Sequence, residues 1–321
     1  MQLRRSWPRL ALPGVLGTWF DGRALKNAPE FPPPPVWQPL TFGGVAAFAR
    51  ARWPRLLLVQ AVVAVAVMVA VLMVLGRGWF PVVTDAVRAL TDFGAVRAGR
   101  LAWPKTEAVM LAENRFLGLA LDLEETGAAG QIADLQVEFG RERIKVVSLL
   151  GYVALPYPVG VEIELSRQVL DPWWNAWRPA FWFAGGLGVL AWLAASWGML
   201  ATLYAVPVWV LARLAGRVAS AGKCWRLAAA ALLPGALWMG GAILLYAAEQ
   251  LSLAGLGLAF GVHVVIGWVY LVGAPFCLPR QGEPPVTAGA NPFMPAPPEE
   301  KAEPPPPEPA GENPFQGGPR A

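Results

Sequence analysis

Four stretches of this chain carry no Asp, Glu, Lys or Arg: Leu56 to Gly76, Pro179 to Ala212, Leu227 to Ala248, and Gln250 to Pro279. A charged side chain is costly in hydrocarbon, and ~20 apolar residues of helix cross its ~30 Å thickness, so each stretch is long enough to span a bilayer. Composition agrees, with 55% apolar residues, 15% charged residues and a mean hydropathy of +0.44, outside the usual range of a soluble domain. The fold class expected is an α-helical polytopic membrane protein with about four transmembrane helices and a small α+β extracytoplasmic domain inserted after the first helix.

The first stretch reads as a simple span, residues 54–77. The second is too long for one crossing and too short for two, so it predicts a span over about 180 to 203, then a kink at Pro207 into an interfacial helix. Re-entry of "YAVPVWVLA" would make a fifth span. The third and fourth stretches form a hairpin turning at "AAEQLS" around Glu249. Pro8, Pro13 and "WFDGR" interrupt the basic N-terminus and argue against a removable signal peptide.

Lys and Arg in short flanking segments set orientation. Residues 1–55 hold eight basic groups against two acids, and Arg213 to Arg226 holds four basic groups and no acid. Both segments are expected in the cytoplasm. The segment from Trp79 to Arg178 holds ten basic and thirteen acidic residues and is the expected translocated loop, with Trp79, Trp173, Trp174 and Trp177 as an aromatic belt. Both termini then face the cytoplasm, and an Ala-, Arg- and Pro-rich composition places the chain in a bacterial inner membrane. Cys224 and Cys277 fall near cytoplasmic helix ends, so no disulfide framework is expected outside and two unrelated thiols are favoured over a redox or metal pair.

The loop, residues 78–178, begins with helical spacing at Val83, Ala86, Val87, Leu90 and Phe93, then shifts to a period of two. Leu117, Leu119, Leu121 and Leu123 share one face of a strand, and Leu135, Val137 and Phe139 repeat the device with Asp134, Gln136 and Glu138 opposite, on a polar face. "IKVVSLL" follows "GRER" as a hairpin partner, and Val161, Ile163 and Leu165 point inward in "VEIELSR"; "AVRAGRLAW" and "EAVMLAEN" are weaker strands. Asp122, Glu124 and Glu125 invite an acid/base or metal reading, but a solvated strand face and a turn account for them, so no catalytic, cofactor or metal site is assigned.

The residues "GRLAWP" (99–104) and "LALDLEETG" (119–127), with one helix before them and a helical cluster after, resemble an uncharacterised family of polytopic bacterial membrane proteins, some labelled maltodextrin-utilisation protein. The layout covers about residues 50–278. In layout alone, the helical cluster is similar to Yip-type membrane proteins of vesicle trafficking. The resemblance implies an architecture and lends no activity.

The membrane segments, residues 179–278, contain almost no ionisable group; Gln60 and His263 are the polar exceptions, which argues against an ion-coupled pump. As the one histidine, His263 is read as neutral and hydrogen-bonded between helices. Gly257 and Gly261 form G-x-x-x-G, and Ala236 with Gly240 a second small-residue pair, predicting that the third and fourth helices pack on each other or in a homo-oligomer. Walker, dinucleotide, G-x-S-x-G and H-E-x-x-H motifs are absent from the sequence.

Residues 1–53 form a basic, proline-rich cytoplasmic segment. Within it "TFGGVAAFARARWPR" predicts a helix on the inner surface with Arg50, Arg52 and Arg55 toward headgroups, and no nucleic-acid partner is expected. The tail, 279–321, has too few large apolar groups to fold alone. It repeats Gly-x-Asn-Pro-Phe, and Asn291, Pro292, Phe293, Asn313, Pro314 and Phe315 are the candidate docking residues for a cytoplasmic partner, weighed against chance duplication. Together these features imply a non-enzymatic integral membrane scaffold or sensor-like protein that binds a partner through its extracytoplasmic domain. An accessory subunit of a transporter or small-molecule channel is the alternative.

Overall fold

The computed structural model describes residues 38–280 apart from 91, 92, 128, 129 and 218. Helix α1 (Phe42–Phe48) is N-capped by Thr41, whose Oγ1 accepts from Gly44 N at 3.0 Å. Helix α2 (Trp53–Val74) opens with Pro54 in its first turn and runs through a π-turn (Leu75–Trp79) directly into α3 (Phe80–Ala89). The expected first span therefore lies inside a rod of 37 residues, Trp53–Ala89, about 55 Å long at ~1.5 Å per residue. Helix α4 (Arg167–Leu214) is 48 residues long and stays a single helix through Pro172, Pro179 and Pro207, so no separate interfacial helix follows Pro207. Helices α5 (Ala221–Ala231) and α6 (Leu233–Ala247) meet at Leu232, with Pro234 starting α6, and α7 (Leu253–Gly273) ends in a 3-10 turn, Ala274–Cys277.

Among the described residues four helical stretches are long and apolar enough to cross a membrane: Trp53–Ala89, Arg167–Leu214, Ala221–Ala247 and Leu253–Cys277. This is consistent with a multi-pass membrane protein. Val63, Ala64, Trp197, Leu232, Leu233 and Ala236 make one interhelical core. A second lies at the α1/α5 end, where Val45, Phe48 and Ala49 are fully buried beside Ala228, Ala229, Ala230 and Ala231. The helix expected on the inner surface is thus inserted into the bundle. Alanines on α5 leave room for it, and Arg226 Nη2 donates to Ala49 O at 2.9 Å; Arg50, Arg52 and Arg55 are exposed as expected.

Outside the bundle, α3 and the start of α4 form a two-helix stalk. Trp174 Nε1 donates to Thr84 Oγ1 at 2.9 Å, and Phe80 meets Trp174 edge-on at 5.5 Å between centroids. On the stalk sit two sheets. The smaller has strand order β2-β1-β8, with β1 Gly94–Arg97, β2 Arg100–Ala102 and β8 Ile163–Leu165. The larger has order β3-β4-β5-β6-β7, with β3 Val109–Glu113, β4 Leu117–Leu121, β5 Leu135–Phe139, β6 Arg143–Ser148 and β7 Gly151–Pro156. Ala98 and Gly99, both at positive φ, turn the β1–β2 hairpin, the geometry that matches strand twist.

All pairings are antiparallel except β4 with β5, where Leu117 faces Leu135 and Leu119 faces Val137. This parallel pair requires a crossover, and residues 122–134 supply it, with no helix among the described residues of the segment. Leu117 and Leu119 of β4, with Leu135 and Val137, pack on Val82 and Ala86 of α3, while Leu121 joins the Val96–Leu101 core. The opposite face corrects the sequence reading: Asp122, Gln136 and Glu138 are buried at 1%, 0% and 8% exposure. The crossover folds over that face and satisfies it, Gln136 Oε1 accepting from Ile132 N at 3.2 Å while Gln136 Nε2 donates to Gly130 O and Glu138 Oε1. A second correction concerns Val161 and Ile163, which are exposed: Val161 lies ahead of β8 and Ile163 opens that short edge strand, while Leu165 alone packs against the Val96–Leu101 core.

Candidate functional site

Asp122 is held by its own turn. One carboxylate oxygen accepts from Thr126 N at 3.1 Å and the other from Gly127 N at 2.7 Å, with Thr126 Oγ1 at 3.2 Å from both. Burial works against its charge, but these bonds and Lys145 outweigh burial and hold the carboxyl below its ordinary range. Glu125 pairs with Arg143 at 2.7 Å and Lys145 at 3.7 Å, and Glu124 is exposed. The three acids therefore do not converge. Among the described residues no group of three or more His, Cys, Asp or Glu is arranged to hold a metal, and both cysteines are free.

The groups that do converge lie where the larger sheet meets the helices. The β3–β4 turn is Asn114-Arg115-Phe116. Asn114 Oδ1 accepts from Phe116 N and Leu117 N at 2.8 and 2.9 Å, which shapes the turn. Its Nδ2 donates to Gly78 O of the stalk's π-turn at 2.6 Å. A Cβ on Gly78 would stand 3.0 Å from the Phe116 ring, which would have to shift by a few tenths of an ångström to admit it. Arg115 reaches the other way: Nη1 donates to Glu249 O at 2.7 Å and Nη2 to Leu251 O at 2.6 Å. These carbonyls follow the C-terminus of α6, where a cation is favoured. Glu249, at φ 62, occupies the left-handed region in that turn.

A second link runs beside the first. Tyr246 of α6 donates its hydroxyl to Asp134 Oδ2 at 2.9 Å, and its ring meets Phe116 edge-on at 5.0 Å. One sheet turn thus grips both the stalk and the α6–α7 hairpin. Beside it opens a cleft of about 910 Å³ lined by Trp79, Asp134, Leu149, Leu150, Leu256 and Phe260 among others. On the smaller sheet a separate cleft of about 390 Å³ is lined by Phe93, Arg97, Trp103, Pro104 and Glu164, with Phe93 64% exposed. Trp103 of the "GRLAWP" run lies over Gly94, where a Cβ would be 2.1 Å from its ring.

Gly257 and Gly261 are exposed on α7, and a Cβ on either would meet nothing within 4 Å. The α6–α7 contact is made instead at Gly235, whose Cβ position is 2.8 Å from His263 O and 2.9 Å from His263 Nδ1. His263 does lie between the helices, but its buried Nδ1 has no hydrogen-bond partner among the described residues. Ala236 and Gly240 face α2, not α7: a Cβ on Gly240 would be 3.3 Å from Val67. Asn291, Pro292, Phe293, Asn313, Pro314 and Phe315 lie outside the described residues.

Sequence reasoning missed Asn114, Arg115, Asp134 and Tyr246. The available signal was "ENRF", an Asn-containing tight turn with a lone cation between two alternating strands. No protein-family model, curated protein or solved structure matches this chain.

Proposed function

We propose that this chain is a non-enzymatic, sensor-like scaffold of the bacterial inner membrane, with both termini cytoplasmic and the two sheets outside. The observation that carries the reading is the clasp made by Asn114 and Arg115. It joins the sheet to the stalk and to the α6–α7 hairpin, so a load or ligand on the sheet bears directly on the membrane bundle. The charge distribution supports the orientation: among the described residues, Arg50, Arg52, Arg55, Arg213, Arg217, Lys223, Arg226 and Arg280 occupy one end with no acid.

The partner is an envelope or membrane protein that seats an apolar segment in the cleft of Phe93 and Trp103, between Arg97 and Glu164. Aromatic anchors rimmed by charge are the usual composition of an interaction hot spot. Interhelical cores of Ala, Val, Leu and Trp favour this reading over a solute path, and the tail is a second docking element. A photo-crosslinking residue at position 93, in native membranes, tests it. The reading expects a discrete adduct that Trp103→Ala abolishes. An adduct indifferent to Trp103, or none at all, contradicts it.

A further inference from the structure

Among the described residues, the longest charge-free run outside the candidate spans is Val146 to Val161, between Lys145 and Glu162. It contains the second half of β6, all of β7, and the turn between them. An edge strand facing water normally carries charge or is covered, since its free backbone groups invite aggregation. Here β7 is an edge, and Tyr152, Val153 and Leu155 are exposed on it.

The turn itself is stranger. Ser148 pairs with Gly151, leaving Leu149 and Leu150 as the two turn residues, 63% and 97% exposed. Two-residue hairpin turns in water favour Asn, Asp and Gly, which tolerate positive φ and stay solvated. Two leucines suit a different solvent. Both line the 910 Å³ cleft together with Leu253, Leu256, Leu258 and Phe260 of α7. Leu256 to Phe260 lie three to seven residues into α7, about 5–10 Å along its axis from the first residue, Leu253. The turn therefore reaches past the start of a candidate span, and Leu258 and Phe260, 76% and 56% exposed, continue the cleft onto the outer surface of that span. Asp134 is the one charged lining residue among the described residues, and Tyr246 already holds it at 2.9 Å.

We propose that the β6–β7 turn is a membrane-dipping tip and that the cleft between it and α7 seats an acyl chain of an outer-leaflet phospholipid. This rests on the membrane orientation proposed above. The continuity of the cleft with the apolar surface of α7 selects lipid over a soluble ligand. Only the turn enters hydrocarbon, because the unpaired N–H groups along β7 remain costly there; Leu150 N at the tip is engaged by Ser148 Oγ at 3.3 Å.

The test uses the full chain carrying Cys224→Ala and Cys277→Ser, with a single bimane-labelled cysteine introduced by Leu150→Cys, Glu142→Cys or Val265→Cys. Each protein is reconstituted in phosphatidylethanolamine–phosphatidylglycerol vesicles containing a phospholipid with a nitroxide on the upper acyl chain, or exposed to iodide on both sides. Glu142 lies at the opposite end of β6 from the turn, and Val265 lies mid-way along α7. The expected result is several-fold stronger nitroxide quenching at position 150 than at 142, with iodide quenching only at 142. Iodide quenching at 150 without nitroxide quenching means a water-exposed turn and overturns the proposal. Protection at 150 from both quenchers means a protein covers it, a second copy included, and also overturns it. Loss of lipid contact at 265 as well would instead overturn the reading of α7 as a membrane span.

Discussion

Tyr246 and Asp134 are 112 positions apart in sequence and joined by a 2.9 Å hydrogen bond, which ties the last turn of α6 to the start of the strand it supports. Removing the hydroxyl with Tyr246→Phe is expected to cost about 1 kcal/mol, and Arg115→Ala, which strips two carbonyls of a partly solvated cation, about 1–2 kcal/mol. The double variant should cost more than either alone while leaving helix content intact. Hydrogen exchange is the readout: the amides of Glu249 and Gln250 should lose protection in both variants, while mid-α7 amides should not.

Packing of α6 on α7 is expected to fail at one glycine and tolerate change at two others. Gly235→Ala places a methyl 2.8 Å from His263 O, a backbone atom that cannot swing aside, and should destabilise the helix pair by about 1–3 kcal/mol. Gly257→Ala and Gly261→Ala point into open space and should leave thermal unfolding in detergent nearly unchanged. Equal effects at the three positions would contradict the contact described.

The Asp122 turn should be acid-sensitive. Its carboxyl titrates lower folded than unfolded, so its contribution is fully present above the ordinary carboxylate pKa and lost as pH falls through the lowered value. Acid-induced opening of residues 122–127, followed by proteolysis or exchange, should therefore begin below the ordinary Asp range. Asp122→Asn should weaken the turn at neutral pH and flatten that dependence. Asp122→Ala should cost about 1–3 kcal/mol by stranding the Thr126 and Gly127 amides.

At the other end of the bundle, Arg226 fastens α1. Its guanidinium bonds Ala49 O and lies 5.7 Å from the centre of the Trp53 ring. Arg226→Ala should release α1 and expose the Arg50–Trp53 link to trypsin, whereas Arg226→Lys should restore only part of the protection because a single ammonium cannot reproduce both contacts.

How much of this was legible in the sequence depended on whether the signal was local. The spans were readable because the absence of charge is itself the physical requirement for crossing hydrocarbon. The clefts, the clasp and the buried Gln136 were not, because each depends on a distant partner. Gln136 alternates with Leu135 and Val137 as a solvated residue would, and only the 122–134 crossover, invisible to a period-two pattern, converts its face to an interior. Likewise Phe42–Phe48 has the look of a surface helix until the alanines of α5 are brought against it. Pro207 signalled a break that did not occur, since residues on both sides stay helical within one long α4. The Gly257/Gly261 spacing was real but faces away from α6, and the glycine that matters, Gly235, has its small partner at helical spacing, Ala231, on the other side of the α5–α6 junction and Pro234, where the pattern does not read as one helix face.

In the orientation proposed above, the two sheets stand outside the membrane, clasped to a bundle whose α1/α5 end faces the cytoplasm. Cysteine labelling with a membrane-impermeant maleimide in intact spheroplasts tests this most directly, using Glu142→Cys for the sheet and Gly222→Cys for the start of α5, both exposed positions. Position 142 is expected to react at once and position 222 only after lysis. The reverse pattern, or equal reaction at both in intact spheroplasts, would contradict it.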